Sequence, residues 1–206
     1  MIGGDGTKLG RRLTRKFFAR EPDQVARDLI GAFLIRYTAD GRRLGGKIVE
    51  TEAYLATGDP ASHSVRGKTA WNRTMFAKPG TLYVYSIHAK YCMNVATESE
   101  EIGSAVLIRA VQPLWGIQEM SAARRQTDLR KLTRGPAMLC EALGISTVDD
   151  GTDLIGCRRL VMRGAEQSQE KMRTGLQVGC GGRIGISVGI DLPLRFYELG
   201  SIWLSR

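Results

Sequence analysis

Residues 47–54 read Lys47-Ile48-Val49-Glu50-Thr51-Glu52-Ala53-Tyr54, a pattern typical of a β-strand. Isoleucine, valine, threonine and tyrosine favour extended backbone, and we predict a strand over Gly46–Leu55. Successive side chains of a strand point to opposite faces, so Glu50, Glu52 and Tyr54 share one face and Val49, Ala53 and Leu55 are expected on the core side. The first face then carries a carboxylate two residues from an aromatic ring. From spacing alone, an exposed strand with ordinary charges is the simpler interpretation.

A second aromatic strand changes that balance. We predict a strand over Thr81–Ile87, in which Tyr83 and Tyr85 share one face and leave Leu82 and Val84 for the other. Two tyrosines on one face are more often packing residues than a ligand clamp. An enzyme that acts on an extruded base, however, needs flat aromatic walls and a carboxylate that can activate water.

The remaining elements do not alternate regularly between strand and helix, which favours an α+β fold over a doubly wound sheet. Glycine-rich residues 1–10 are expected to be a flexible N-terminus, and residues 11–206 a single domain. The long stretch 56–80 has no apolar period and is expected to be irregular, as functional loops often are. We predict helices over Pro22–Ile30, Leu114–Arg125 and Pro136–Leu143, and further strands over Ala32–Thr38, Ser104–Val111, Arg159–Arg163, Arg183–Val188 and Pro193–Leu199.

The charge indicates a polyanion as partner. Thirty Lys and Arg residues against 21 Asp and Glu give a formal net charge of +9. Such a balance is typical of nucleic-acid binders, because each phosphate that is neutralised releases counterions. A merely basic protein would show the same excess, so charge alone does not decide between the two.

Metal, membrane and export functions are not predicted. None of the four cysteines lies two to four residues from another, and the two histidines, His63 and His88, show no metal-ligand spacing. No apolar run is long enough to span a membrane, and Met1–Gly10 lacks the apolar stretch of a signal peptide. We therefore expect a cytoplasmic protein, monomeric by default.

An ordered series of motifs across nearly the whole chain resembles the alkyladenine (3-methyladenine) DNA glycosylase family. Each fragment is weak by itself, but the ordered set is specific. The matching motifs are Val49–Leu55, His63-Ser64, Asn72-Arg73, Met75-Phe76, Pro79–Tyr85, Cys92–Asn94, Leu107–Ala110, Gly135-Pro136, Leu139-Cys140, Arg183–Gly185 and Pro193–Tyr197.

The resemblance implies one α+β domain with a curved, mainly antiparallel sheet flanked by short helices, without metal or cofactor. It implies double-stranded DNA with damaged purines as partner, and a location on the nucleoid. By position, Glu52 matches the general base, Tyr54 and Tyr85 the rings that sandwich the flipped base, and His63 a third wall. Asn94 matches the amide that screens against the amino group of normal guanine, and Arg109 an arginine near the general base and the nucleotide backbone.

One stretch departs from the family pattern. Most members have a tyrosine in a Tyr-Gly-Met run that wedges into the minor groove after the base leaves, whereas this chain reads Ser86-Ile87-His88-Ala89-Lys90-Tyr91 and is one residue shorter. His88 falls nearest the wedge position. Tyr91, Lys90 or a reshaped loop are the alternatives.

The function implied is removal of alkylated or deaminated purines by base flipping and hydrolysis of the N-glycosidic bond. The lesions would be 3-methyladenine, 7-methylguanine, hypoxanthine and ethenoadenine. Water activated by Glu52, instead of a lysine Schiff base, predicts a monofunctional enzyme that leaves the abasic strand uncut. Two rivals stay open: a catalytically silent nucleic-acid-binding domain of the same fold, and a glycosidase for free nucleosides or sugars.

Overall fold

The fold is known from a computed structural model, which describes residues 8–165 and 175–205. Residues 1–7 of the predicted flexible N-terminus lie outside the described residues. The strands are β1 (Leu9–Arg12), β2 (Phe33–Tyr37), β3 (Arg43–Tyr54), β4 (Leu82–Ile87), β5 (Lys90–Ala96), β6 (Ala105–Trp115), β7 (Leu160–Ala165), β8 (Val178–Gly181) and β9 (Arg195–Glu198). The helices are α1 (Arg15–Phe18), α2 (Pro22–Leu29), α3 (Ile117–Arg124) and α4 (Pro136–Leu143).

The strands form one open antiparallel sheet, which confirms the α+β prediction. Its order is β1-β7-β2-β3-β6-β5-β4, and β9 pairs with both β3 and β8. Strand β3, which contains the quoted stretch, lies at the centre. Its first half pairs with β2, its residues Glu50–Glu52 pair with β9, and β6 runs along its other edge.

Three register shifts interrupt the pairing of β3 with β6; one lies between Gly45 and Gly46, and the other two are adjacent to each other near Glu50. Ile48 pairs with Val111 and Glu50 with Ala110, so Val49 is the extra residue on β3. Thr51 then pairs with Ile108, so the extra residue on β6 is Arg109. Bulges of this kind bend a strand and redirect side chains, and they often lie beside active sites.

The bulge corrects part of the predicted alternation. Ile48 and Ala53 both belong to the main hydrophobic core, although their odd separation would place them on opposite faces of a regular strand. Val49 is buried but is not a member of that core cluster, contrary to the prediction that it would share a core side with Ala53. The predicted common face of Glu50, Glu52 and Tyr54 is confirmed by contacts that these residues share through Arg109 and each other.

Helix α2 covers the core face of β3. Proline at its first turn and Val25, Ala26 and Leu29 on its buried side are the pattern that predicted it. The Thr51 hydroxyl donates a hydrogen bond of 2.9 Å to the carbonyl oxygen of Ala26. The helix thereby fixes one face of β3 and leaves the Glu52 face for other contacts.

Several predicted boundaries were wrong. Leu9 and Gly10, placed in the flexible N-terminus, belong to β1 and pair with β7. Strand β6 continues to Trp115, so the helix predicted from Leu114 begins at Ile117, after Gly116 in the left-handed conformation (φ 66°). Strand β5 was not predicted; its residues Tyr91–Ala96 alternate weakly in polarity, and the strand is fixed by its pairing with β4 and β6.

The predicted strand Arg183–Val188 does not form. The segment is a loop in which Gly185 adopts a positive φ of 79°, and strand β8 lies earlier, at Val178–Gly181. Tertiary contacts override the local preference for a strand, because Arg183 and Ile184 form hydrogen bonds with residues of β3. No helix in the described part of the chain is long and apolar enough to cross a membrane.

Candidate active site

A cavity of about 340 Å³ opens on the face of the sheet opposite α2. A volume of this size lies in the range of small-ligand pockets. Strands β3 to β6, the stretch 56–80, the start of α4 and the loop after β8 supply its walls. The lining residues are Tyr54, Ala61, His63, Met75, Tyr83, Tyr85, Ile87, Cys92, Asn94, Leu107, Arg109, Pro136, Ile184, Gly185 and Ile186.

The Glu52 carboxylate lies directly behind this cavity and is fully buried. Its Oε2 atom accepts hydrogen bonds from the Tyr54 hydroxyl at 3.0 Å and from Arg109 Nη1 at 3.1 Å. Its Oε1 atom accepts one from the Ile184 backbone N–H at 2.8 Å. All three donors belong to residues that line the cavity, so the hydrogen-bonding partners of the carboxylate connect it to the cavity wall.

Arg109 connects Glu52 to the second carboxylate of the same strand. Arg109 Nε lies 3.6 Å from Glu50 Oε1, which also accepts a hydrogen bond of 2.6 Å from Arg195 Nε. The backbone N–H of Ser205 donates to Glu50 Oε2 at 2.6 Å. Two guanidinium groups thus face two buried carboxylates, the balance that buried charges require. The bulge at position 109 lets one arginine reach both.

Tyr54 is both a wall of the cavity and a partner of Glu52. Burial, and then the neighbouring Glu52 charge, raise the pKa of the Tyr54 phenol well above its usual range. The phenol therefore keeps its proton at neutral pH and donates a hydrogen bond to the carboxylate. Burial likewise raises the pKa of Tyr85 far above that of a free tyrosine, so both rings enter the cavity as neutral phenols.

Three of the predicted base-binding residues meet at the cavity: Tyr54, Tyr85 and His63. The His63 ring packs edge-on against Tyr85 with a centroid separation of 4.6 Å. Tyr54 and Tyr85 line the same cavity. Among the rings of the described residues, they form no contact pair with each other.

Tyr83 is a cavity residue that sequence analysis did not assign, although its shared face with Tyr85 was the available signal. Its hydroxyl lies 3.0 Å from Nδ1 of His63 and holds the imidazole in place. Burial lowers the pKa of His63, which favours the neutral ring. Trp71, equally unassigned, lies against the same rings.

Asn94 is buried on β5 and lines the cavity, as the resemblance implied. Its amide Nδ2 donates to the Tyr83 carbonyl oxygen at 3.3 Å, which orients the side chain. The antiparallel register sets Asn94 opposite Tyr83 on one side and Leu107 on the other. The amide group therefore lies beside the aromatic walls.

A buried ion pair lies against the Tyr54 ring, one of the walls of the cavity. Arg183 and Asp59 are bound through two hydrogen bonds of 2.6 Å, with both side chains fully buried. The guanidinium group lies 4.7 Å from the centroid of the Tyr54 ring and donates to the Ala53 carbonyl oxygen at 3.0 Å. The residue after Arg183 supplies the N–H that binds Glu52. Sequence analysis missed this pair, because Asp59 lies in the irregular stretch and carries no periodic signal.

Among the predicted site residues, His88 and the buried Glu52 do not line the cavity, and His88 lies farther out. It is exposed at the tip of the β4–β5 hairpin, where His88 and Ala89 both have positive φ values, 47° and 57°. Its neighbour Ile87 lies at the cavity wall. The hairpin therefore carries His88 beside the cavity.

A buried carboxylate behind an aromatic-walled cavity, on a basic chain, is the arrangement expected of an enzyme that acts on an extruded base. Comparison with known proteins places the chain more closely. Residues 16–202 match the methylpurine-DNA glycosylase (MPG) family. The chain belongs to this family of DNA repair enzymes, the DNA glycosylases of base excision repair.

Individual relatives cover nearly the whole chain. The sequence is 46% identical over 199 residues to a protein of Rhodopirellula baltica, a match that spans 94% of this chain and 82% of the relative. It is 43% identical over 205 residues to one of Nitrobacter winogradskyi (99% and 92%) and 41% over 195 residues to one of the archaeon Methanoculleus marisnigri (94% and 98%). Each carries the name "Putative 3-methyladenine DNA glycosylase".

Proposed function

We propose that this protein flips alkylated or deaminated purines out of duplex DNA into the cavity and hydrolyses their N-glycosidic bond with a water activated by Glu52. The observation that carries the proposal is the position of the Glu52 carboxylate, held behind the cavity by three residues that line it. A base in the cavity would bring its sugar C1′ toward that carboxylate. The reaction is then general base catalysis on a sugar that develops positive charge.

The hydrogen-bond inventory of Glu52 leaves room for the water. An ionised carboxylate accepts about four hydrogen bonds, two at each oxygen. Within residues 8–165 and 175–205, two are made at Oε2 and one at Oε1. The remaining acceptor position at Oε1 is where we place the attacking water. As the glycosidic bond breaks, the same negative charge stabilises the oxocarbenium-like sugar.

The rings of Tyr54 and Tyr85 would hold the base between them, with His63 as third wall. 3-Methyladenine and 7-methylguanine are cationic, and stacking a cation on tyrosine contributes about 0.5–2 kcal/mol. A neutral imidazole at His63 avoids repulsion of such a cation. Asn94 would screen against the amino group of undamaged guanine, and Arg109 would contact the backbone of the flipped nucleotide while it orients Glu52.

The lining residues favour a monofunctional enzyme. A lyase-type glycosylase needs an amine that attacks C1′, and the residues that line the described cavity include no lysine. Hydrolysis by water releases the free base and leaves an abasic site in an uncut strand. Hypoxanthine and ethenoadenine, which are neutral, would need protonation as they leave.

The test is the variant Glu52→Gln, which keeps the size of the side chain and removes the base. We expect it to release no base from an oligonucleotide containing hypoxanthine or 7-methylguanine, while its affinity for the lesion duplex survives. Glu101→Gln, at an exposed position, is the control. Excision by Glu52→Gln at the wild-type rate would contradict the assignment of Glu52.

The wild-type protein itself separates the rival functions. Duplex binding without release of any base would support a silent nucleic-acid-binding domain. Release of base from free nucleosides would instead support a nucleoside glycosidase, and we expect none.

We assign the wedge to His88. Its neighbours in the hairpin are engaged: Tyr91 packs against the main core, and Lys90 Nζ lies 3.4 Å from Glu141 Oε2. We expect His88→Ala to slow excision from duplex DNA more than from single strands, because only a duplex has a gap to fill. Equal losses on both substrates, or a larger effect of Lys90→Ala, would contradict a wedge at His88.

A further inference from the structure

Trp71 is an exposed aromatic residue beside the cavity that no part of the proposed mechanism uses. Its side chain is 56% exposed, and it does not line the cavity. Isolated exposed apolar residues are common, so exposure alone carries no functional meaning. The contacts of the indole are more informative.

The indole packs on three rings that do line the cavity. Its centroid lies 4.6 Å from that of His63, 5.8 Å from that of Tyr85 and 6.3 Å from that of Tyr83. His63 is therefore held between Tyr85 and Trp71, with the Tyr83 hydroxyl at its Nδ1 atom. Trp71 is the member of this group that is open to solvent.

The backbone that carries Trp71 is tied to the backbone that carries His63. Asn72, the next residue, is buried, and its Nδ2 donates to the carbonyl oxygens of His63 at 2.8 Å and Gly67 at 3.0 Å. Its Oδ1 accepts from the backbone N–H of Thr69 at 2.6 Å. One buried amide thus closes the irregular loop and fixes the distance between the two rings.

We propose that Trp71 is a positioning residue that fixes the His63 imidazole as a wall of the base pocket and covers its outer face. The proposal rests on the proposed function, since it takes His63 as part of the pocket for an extruded purine. His63 comes from an irregular loop, and a side chain on a loop needs such a support to keep one orientation. The indole supplies it without entering the cavity.

The surroundings of His63 make its titration a direct measure of this cover. Tyr83 and Tyr85 from β4 and Trp71 from the loop face the imidazole, and no described ion pair involves it. Burial alone lowers the pKa of His63. Removal of the indole exposes the ring, so its pKa should rise toward the ordinary value.

The experiment combines NMR titration with excision kinetics. The chain has two histidines, so the His63 ring signals are identified by their absence in His63→Gln. In Trp71→Ala we expect the pKa of His63 to rise. We expect single-turnover excision from a 7-methylguanine or hypoxanthine duplex to fall by up to about 100-fold, the loss that a misplacement of about 1 Å can cause. Trp71→Phe should restore both, and Val65→Ala, an equally exposed apolar residue of the same loop, should change neither.

Three results would overturn the proposal. An unchanged pKa of His63 in Trp71→Ala would show that the indole does not cover the ring. Wild-type excision by Trp71→Ala would show that the cover has no effect on the pocket. An equal loss of affinity for damaged and undamaged duplex would make Trp71 a direct DNA contact instead. If the wild-type protein released no base at all, the proposed function would fail, while the titration would still decide whether Trp71 holds His63.

Discussion

Tyr54 combines two tasks in one side chain. Its ring forms a wall of the cavity, and its hydroxyl donates to Glu52 at 3.0 Å. Burial and the Glu52 charge raise its pKa far above the range of assays, so the donor is present at every pH at which duplex DNA is intact. Stacking and hydrogen bonding at this residue should therefore be separable by substitution.

The variant Tyr54→Phe keeps the ring and removes the donor. A hydrogen bond to a charged group contributes about 1.5–3 kcal/mol, so we expect excision to fall roughly 10- to 100-fold with little change in affinity for the lesion duplex. Tyr54→Leu should lose affinity as well. Single-turnover rates and equilibrium binding separate the two effects, and a Phe variant that binds poorly but cleaves normally would contradict this division of roles.

Among single residues, strand alternation predicted which side chains of β3 and β4 would lie on the same face. Alternation along β3 and β4 placed Glu52 with Tyr54, and Tyr83 with Tyr85. The roles of His63 and Asn94 followed from the family resemblance only. The tertiary contacts were not predictable from the sequence. Arg109 reaches two carboxylates because of a bulge, and Asp59 contacts Arg183, 124 positions away in the sequence.

Between elements, the Asp59–Arg183 pair fastens the loop after β8 to β3. The Arg183 guanidinium group of this pair packs on the Tyr54 ring, and the next residue, Ile184, donates its backbone N–H to Glu52. The same contacts explain why the strand predicted over Arg183–Val188 does not form. Local β-propensity was present, but the loop makes better contacts with the site than with a neighbouring strand.

Removal of one partner from this pair leaves the other charge buried. We expect Asp59→Asn to lower the free energy of unfolding by about 3–5 kcal/mol, the usual cost of an orphaned buried charge. Denaturant unfolding measures this loss of stability. The control is Asp28→Asn, which removes the carboxylate of the more exposed Arg20–Asp28 pair and should change the free energy of unfolding far less. The double variant Asp59→Asn with Arg183→Met should regain part of the loss, and a double variant as unstable as the sum of both singles would contradict a direct pairing.

Two basic clusters lie at different places on the molecule. The first comprises Arg11, Arg12, Arg15, Lys16 and Arg20, and the second comprises Arg124, Arg125, Arg130, Lys131 and Arg134. The first cluster spans β1 and α1, and Phe18 of α1 belongs to the main core with Leu82 and Val84, on the face of β4 opposite the aromatic walls. Arg15 and Arg20 of this cluster pair with Asp153 and Asp28.

The second basic cluster ends two residues before a residue that lines the cavity. It occupies the connection between α3 and α4, which ends where the Gly135 N–H binds the Arg109 carbonyl oxygen and Pro136 lines the cavity. Arg130 and Lys131 have highly exposed side chains, and both form salt bridges of 3.7 Å with the same carboxylate, Asp128, so one acidic residue serves two cations. Phosphates of DNA bound over the cavity would therefore meet this cluster first.

A salt titration of duplex affinity tests that assignment. Each phosphate contact contributes about 0.9 to the slope of log K against log salt, so the double variant Arg130→Gln with Lys131→Gln should reduce the slope by about 2 if both residues contact phosphates. The matched pair Arg11→Gln with Lys16→Gln removes the same charge from exposed positions of the first cluster and should change the slope much less. Equal changes of the slope in both double variants would mean that affinity follows the net charge alone. A larger change in the Arg11 and Lys16 double variant would place the DNA on the α1 side of the molecule.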